Sequence, residues 1–244
     1  MQDLKYIYRR GLDTIRKIRS HVVRTLKPAA GYYIFGEQKR SLQPLSFIYG
    51  FDRGKPIDRY YIESFMDENK ELIKGVCLEI TDNDYTVKYG GDKVTKSDAL
   101  DIDTNNKQAT IYGDLRNLDG IADNTYDCMI VTQTFVMIDD FHKAVAECYR
   151  VLKPGGALLV TMPCLGRVGK GTGHNQFWRF TKTSCEYIFG KAFGKENVES
   201  KTYGNVFAGQ CFWVGMASDE LTKDELAYMD PEYPVIVATK AIKR

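Results

Sequence analysis

The sequence predicts an α/β protein with a doubly wound, mostly parallel β-sheet. Short apolar runs at 76–80, 126–132 and 157–162 alternate with segments in which apolar residues have helical spacing, such as 141–152. Strands that are apolar throughout are typical of a parallel sheet covered by helices on both faces. The β-branched segment 234–239 near the end of the chain is predicted to be a further strand inside that sheet.

The remaining elements follow from spacing and turn residues. Residues 60–73 and 141–152 are predicted to be helices. Lys153–Gly156, with the sequence Lys-Pro-Gly-Gly, is predicted to be a glycine turn that ends the second helix. Shorter strands are predicted at 94–100 and 109–112. Two helices are predicted near the end of the chain, at 206–216 and 223–228.

Composition indicates an ordinary globular protein. The 244 residues are 43% hydrophobic and 27% charged, and the apolar runs are too short to cross a bilayer. The N-terminus has no apolar signal core. The six cysteines form no Cys-x-x-Cys pair, which disfavours a zinc site or a disulfide framework. We therefore expect a cytoplasmic protein without a metal.

Charge is unevenly distributed along the chain. Residues 1–27 carry +6 and the remainder carries −4, a balance that disfavours nucleic acid as a partner. Residues 1–26 have the spacing of an amphipathic helix. One interpretation packs this helix on the domain, and the other places it on a partner or on an anionic membrane at its inner face. Two regions are predicted: a basic helix and lead-in over 1–54, and a domain over 55–244.

Polar residues come at four predicted strand ends, where a doubly wound sheet binds ligands. They are Glu79, Asp98, Asp114 and the pair Thr132-Gln133. Glu79 and Asp98 are 19 residues apart, close to the roughly 20 that separate a first turn from a ribose-binding carboxylate. A carboxylate suits a ribose because it accepts hydrogen bonds from both hydroxyls.

Several segments resemble class I S-adenosylmethionine-dependent methyltransferases. The resemblance rests on "RVLKPGG" at 150–156, "NTYDCMIVTQTFVMI" at 124–138 and "WRFTKTSCEYIF" at 178–189. "GKPIDRYYIESF" and "YGNVFAGQCFW" resemble a bacterial subgroup often found with glycosyltransferases in surface-polysaccharide clusters. The resemblance implies a seven-stranded, Rossmann-like methyltransferase fold with S-adenosylmethionine as cofactor.

The resemblance also implies roles for matched positions. Glu79 would be the acidic residue of the first cofactor motif, and Asp98 would bind the ribose. Asp114 and Leu115 would border the adenine, and Gln133 would approach the methionine moiety. Arg59 or Tyr60, just before the first helix of the domain, is expected to hold the methionine carboxylate, since arginine matches that group bidentately.

The first cofactor loop departs from the family pattern. Thr81-Asp82-Asn83-Asp84-Tyr85 stands where the family has Gly-x-Gly-x-Gly, with Thr81 as its first cofactor-binding position. Glycines are needed where backbone crowds a pyrophosphate, and S-adenosylmethionine carries no phosphate. Aspartate and asparagine tolerate turn conformations, and the two carboxylates suit a cationic sulfonium. A site for S-adenosylmethionine is therefore predicted, and a dinucleotide site is disfavoured.

The predicted reaction is O-methylation of a saccharide or glycan precursor. His174, in a glycine-rich loop, is the candidate base for a hydroxyl acceptor, although a lone loop histidine is more often a surface residue. Trp178 and Arg179 are candidates to line the acceptor pocket, with Trp178 as a core residue the alternative. Two other functions stay open: an inactive methyltransferase-like scaffold in glycan assembly, and a small-molecule methyltransferase unrelated to glycans.

Overall fold

The computed structural model describes residues 42–169 and 175–244, which fall into two compact units. Of the described residues, the first unit holds 42–60 and Gly204–Val235, and the second holds 61–169, 175–203 and Ile236–Arg244. The predicted domain boundary at 54/55 stays a prediction. The predicted helix at 1–26 lies outside the described residues.

The described residues form five α-helices and seven β-strands. The helices are α1 (Ile57–Glu68), α2 (Phe141–Val151), α3 (Lys182–Phe193), α4 (Val206–Val214) and α5 (Lys223–Ala227). The strands are β1 (Gly75–Ile80), β2 (Val94–Asp101), β3 (Ile111–Tyr112), β4 (Tyr126–Thr132), β5 (Leu152–Pro163), β6 (Val198–Tyr203) and β7 (Ile236–Ile242).

The seven strands form one sheet in the order β3-β2-β1-β4-β5-β7-β6. Strands β1 to β5 pair in parallel, and β7 lies antiparallel between β5 and β6. The predicted doubly wound, mostly parallel sheet is confirmed. The strand order reverses between β1 and β4, and ligands bind at such a switch point, outside the carboxyl ends of the strands.

The core of the second unit lies between the sheet and its helices. The β4 segment from Cys128 to Val131 is fully buried, as its continuous apolar sequence predicts. Helix α2 turns Ala144, Cys148 and Val151 inward, at helical spacing. All six cysteines are free, and five of them are buried, so they act as small core residues.

Two predictions about strands are wrong. Lys153–Gly156 is part of β5 instead of a turn, because Leu152 is already extended after α2 and pairs with Tyr126. Gly155 takes φ +81° where the register shifts, and a Cβ on Gly156 would lie 2.8 Å from the Lys153 carbonyl oxygen. The second wrong prediction concerns β2, which was expected to be a shorter strand with Asp98 at its end. Strand β2 is longer than β1, and it continues past Asp98 to Asp101.

The first unit is held together by buried polar contacts. Arg53 and Glu220 form an ion pair in which both side chains are almost fully buried. Asn205 caps α4, because its side chain accepts from the Ala208 N–H at 2.9 Å. The same amide donates to the carbonyls of Glu225 and Tyr228, so it ties α4 to α5.

Candidate active site

A pocket of about 320 Å³ opens at the carboxyl ends of β1 to β4, within the second unit. This volume suits a small organic ligand. Its lining comes from four connections, after β1, β2, β3 and β4, and from the segment that precedes α3. The lining residues are Ile80, Thr81, Leu100, Asp101, Ile102, Gly113, Asp114, Leu115, Arg116, Thr134, Met137, Ile138, Asp139, Asn175 and Phe177.

The loop after β1 makes its turn without glycine. Thr81 takes φ +77°, a conformation that costs a β-branched residue energy. The Asp84 N–H donates to Asp82 Oδ1 at 3.1 Å, and Asn83 Nδ2 donates to Ser97 Oγ at 3.1 Å. The Asp82–Asp84 bond is the local turn hydrogen bond that such a loop is expected to make.

Glu79 lies buried beneath this loop, with 2% of its surface exposed. Its carboxylate accepts from the Tyr85 N–H at 3.2 Å and from the Thr86 N–H and hydroxyl at 2.7 and 2.8 Å. Burial raises the pKa of Glu79 to about 7, against the lowering effect of these hydrogen bonds. Glu79 therefore anchors the far end of the loop that follows β1.

Asp98 does not end its strand as predicted. It lies in the middle of β2, buried beside Leu78 of β1, and accepts from Lys96 Nζ at 2.8 Å and the Tyr126 hydroxyl at 3.2 Å. The carboxylate at the end of β2 that lines the pocket is Asp101. The signal for Asp101 was the apolar pair Ala99-Leu100, which carries the strand onward after Asp98.

Asp114 and Leu115 line the pocket after β3, where the sequence places them. Arg116 forms a bidentate ion pair with Asp114 and also bonds to Asp139, which follows β4. The Arg116 guanidinium lowers the pKa of Asp114, so this carboxyl stays ionised. Sequence reasoning missed Arg116 and Asp139, because the pairing joins loops 23 residues apart.

Gln133 follows β4 with φ +52°, and its backbone N–H donates to the Thr161 carbonyl at 2.8 Å. Its side-chain Nε2 is buried and has no hydrogen-bond partner among the described residues. A buried donor without a partner costs free energy until an acceptor reaches it. Gln133 is not among the residues that line the pocket, although its neighbour Thr134 is.

The segment before α3 closes one side of the pocket. Phe177 donates from its backbone N–H to the Val136 carbonyl at 2.8 Å, and Trp178 Nε1 donates to the Ile138 carbonyl at 2.8 Å. Trp178 also packs edge-on against Phe141. Arg179 donates to Gln176 Oε1 at 2.8 Å. These contacts hold the segment in place, and the predicted acceptor role of Trp178 and Arg179 stays a prediction.

Three predicted residues cannot be placed against the pocket. His174 lies outside the described residues. Arg59 and Tyr60 stand in the first turn of α1 and belong to the first unit, whereas the pocket is built by the second. Their predicted roles stay predictions.

Within 42–169 and 175–244, no cluster of three or more histidine, cysteine, aspartate or glutamate side chains is arranged to hold a metal. The same stretches contain no helix long and apolar enough to span a bilayer.

Residues 78–160 match the family model described as a methyltransferase domain. A ubiquinone/menaquinone biosynthesis C-methyltransferase of Haemophilus ducreyi is 51% identical over 39 residues, which are 16% of this chain and 15% of that protein. The matched stretch is thus a small part of both proteins.

Two solved structures share the fold. An S-adenosylmethionine-dependent methyltransferase from Archaeoglobus fulgidus has a TM-score of 0.51 and 11% identity, covering 76% of this chain and 94% of its own. Another from Thermotoga maritima has a TM-score of 0.51 and 18% identity, covering 77% and 92%. Residues 78–160 thus match a methyltransferase domain, and the chain shares its fold with S-adenosylmethionine-dependent methyltransferases.

Proposed function

We propose that this protein is an S-adenosylmethionine-dependent methyltransferase whose cofactor binds in the pocket at the carboxyl ends of β1 to β4. The observation that carries the proposal is the position of Asp101. This carboxylate ends β2 beside the switch between β1 and β4, within the pocket and next to Thr81 of the first loop. The methyltransferase-domain match over 78–160 supports the same assignment.

The residues of the pocket fit S-adenosylmethionine along its length. Asp101 suits the ribose hydroxyls, since a carboxylate accepts from both. Ile102 and Leu115 provide apolar surface for an adenine ring, with Asp114 beside them. Gln133 directly precedes Thr134 of the pocket wall, and its Nε2, a buried donor in need of an acceptor, suits the methionine carboxylate. The Asp101 carboxylate, the apolar surface and the unpaired Gln133 amide therefore support a site for this cofactor.

When bound, S-adenosylmethionine supplies an electrophilic methyl group, whose bond to sulfur breaks as the acceptor forms its bond to carbon. Such a displacement depends mainly on how the reactants are positioned. The protein's part is accordingly to hold the cofactor at Asp101 and Gln133 and to shield the reaction with Met137 and Phe177. A base is needed only where the acceptor is a weakly acidic hydroxyl.

Two observations favour different classes of methyl acceptor. Resemblance to a bacterial subgroup associated with glycosyltransferases favours a saccharide hydroxyl. The 51% identity over 39 residues with a ubiquinone/menaquinone biosynthesis C-methyltransferase favours a small molecule outside glycans. Incubating the protein with labelled S-adenosylmethionine and separate saccharide and metabolite pools distinguishes them by which pool acquires the label.

The cofactor site is tested by titration calorimetry with S-adenosylhomocysteine. We expect Asp101→Asn to weaken binding by about 1–3 kcal/mol, because a charged acceptor of hydrogen bonds is lost. Asp98→Asn is the matched control on the same strand and should bind within about twofold of wild type when folded. Absence of binding by the folded wild-type protein would favour the inactive scaffold instead.

Residues 1–27 have a separate proposed role, as a basic segment that contacts an anionic membrane or a partner. Their charge of +6 against −4 for the remainder supports electrostatic attraction to acidic surfaces. Deleting them should reduce sedimentation with phosphatidylserine vesicles at low salt and leave cofactor affinity intact. If the full-length protein ignores such vesicles, the membrane role is wrong.

A further inference from the structure

Asn106, in the loop between β2 and β3, connects two parts of the pocket that lie on different segments. Its Nδ2 donates to the Thr81 carbonyl oxygen at 2.6 Å and to Asp101 Oδ2 at 2.7 Å. A side-chain amide has two N–H donors. One is used for the first cofactor loop and the other for the carboxylate that ends β2.

The loop holds Asn106 itself in place through three further contacts. Its backbone N–H donates to the Asp103 carbonyl at 3.0 Å, and its carbonyl accepts from the Tyr112 hydroxyl at 3.0 Å. Its Oδ1 accepts from the Gln108 N–H at 3.0 Å. Because both main-chain groups and Oδ1 are bonded, the amide hydrogens have a defined direction.

Thr81 depends on outside support because its own conformation is unfavourable. At φ +77° a β-branched residue is strained, and such strain persists only where the surroundings hold it. The Thr81 N–H donates to the Leu100 carbonyl at 2.8 Å, and its carbonyl accepts from Asn106. Both peptide groups around Thr81 are thus tied, one by β2 and one by Asn106.

Asp101 is oriented by the same loop. Its Oδ1 accepts from the Asp103 N–H at 2.9 Å and its Oδ2 from Asn106. Two donors on two oxygens fix the plane of the carboxylate. Each oxygen retains a further acceptor site, so the group stays able to bind hydroxyls of a ligand.

We propose that Asn106 is a positioning residue for cofactor binding, which fixes Thr81 and Asp101 relative to each other. The proposal rests on the proposed function of this pocket. Asn106 takes the place of glycines in the first loop, because it stabilises a strained threonine where a glycine needs no support. Cofactor affinity is therefore controlled by a side chain that holds two binding elements without itself being one of them.

The test compares the same substitution at two neighbouring asparagines. Asn106→Asp keeps the acceptor for Gln108, removes both donations and places a second carboxylate beside Asp101. Asn105→Asp introduces the same charge, but the one hydrogen bond of the Asn105 side chain to the described residues goes to Asp103 Oδ1, at 3.0 Å. Asn106→Ala removes the donations without adding charge.

Both Asn106 variants should bind S-adenosylhomocysteine roughly tenfold or more weakly, as expected for lost hydrogen bonds that include one to a charged group. Asn105→Asp should stay within about twofold of wild type. In a Thr81→Gly background, Asn106→Ala should cost less, because glycine removes the strain that Asn106 offsets. Equal affinities for both aspartate variants, or fully additive effects with Thr81→Gly, would overturn the proposal.

Hydrogen exchange of the ligand-free protein gives a readout that does not need the cofactor. Exchange of the Thr81 amide should be faster in Asn106→Ala and unchanged in Asn105→Asp, while β4 amides keep wild-type protection and show that the variant is folded. If wild-type protein binds no S-adenosylhomocysteine, the proposed function fails. In that case the exchange rate of the Thr81 amide alone tests whether Asn106 fixes Thr81, and an unchanged rate in Asn106→Ala refutes it.

Discussion

Arg116 donates to both carboxylate oxygens of Asp114, from Nε to Oδ1 at 3.1 Å and from Nη2 to Oδ2 at 2.6 Å, and its Nη1 donates to Asp139. One guanidinium thereby joins the loop after β3 to the loop after β4 across the pocket. Bidentate pairs of this kind fix geometry as well as charge. Arg116 is a part of the pocket wall that defines where Asp114 stands.

Replacing Arg116 should loosen that wall. We expect Arg116→Met to weaken binding of S-adenosylhomocysteine by about two- to fivefold, a modest loss because solvent screens partly exposed ion pairs. Calorimetry measures the effect. Lys182→Met, which removes the exposed pair with Glu186 on α3, is the control and should leave affinity unchanged. A loss of the same size in both variants would contradict a specific role for Arg116.

Glu79 should make stability depend on pH. Its pKa is raised to about 7 by burial, above the ordinary 4.5, so the folded protein binds a proton that the unfolded chain releases. This contribution to stability is fully present below pH 4.5 and is lost as pH rises through 7. As pH rises from 4.5 through 7, the free energy of unfolding of wild type should therefore fall further than that of Glu79→Gln. The difference between the two proteins should reach up to about 3 kcal/mol.

Urea denaturation at pH 5, 6, 7 and 8 measures this difference. Glu71→Gln is the control, because Glu71 is an exposed glutamate that pairs with Lys93. Its pH profile should run parallel to that of wild type. A Glu79→Gln profile that also stays parallel to wild type would show that burial leaves this carboxyl unperturbed.

Gln133 should show opposite effects on stability and binding. Its buried Nε2 has no partner among residues 42–169 and 175–244. Gln133→Met keeps the size of the side chain and removes that donor, so the ligand-free protein should be equally stable or gain up to about 1 kcal/mol. S-adenosylhomocysteine should bind roughly tenfold more weakly.

Thermal denaturation and calorimetry on the same sample check both signs for Gln133→Met. A variant that is destabilised and binds normally would indicate that the amide has a structural partner and no ligand. The two measurements together distinguish a binding residue from a packing residue.

The first loop should favour the cationic cofactor through charge. Asp82→Asn combined with Asp84→Asn keeps an oxygen on residue 82 for the Asp84 N–H turn bond and removes both negative charges. Affinity for S-adenosylmethionine should fall by about 0.5–1 kcal/mol more than affinity for S-adenosylhomocysteine, which lacks the sulfonium charge. Titrations at low and high salt measure this, since screening should narrow the gap. Equal losses for both ligands would mean that the loop acts by shape alone.

The sequence by itself determined the fold class and most element positions. Continuous apolar runs such as 126–132 had to be buried strands, and the spacing of 141–152 had to be a helix, because burial of apolar surface dominates folding. The sequence also placed Asp114 and Gln133 directly after predicted strands. These features depend on residues close together in the chain.

Tertiary structure decided what depends on partners far along the chain. Lys153–Gly156 is a strand because Gly155 and Gly156 exchange hydrogen bonds with Lys243 of the chain's end, which overrides the local turn preference. Strand β2 reaches Asp101 because Leu100 and Asp101 pair with β3. Pairing across a sheet satisfies backbone groups that local sequence leaves open. The pairing of β2 with β3 therefore determines that Asp101, instead of Asp98, is the carboxylate at the pocket end of β2.

The contacts between loops belong to the same class. Asn106 reaches Thr81 25 residues away, and Arg116 reaches Asp139 23 residues away. Asparagine and arginine in polar loops are common, and their spacing carries no signal of a shared pocket. Only the folded sheet brings the ends of β1 to β4 together, because parallel strands place their carboxyl ends at one edge.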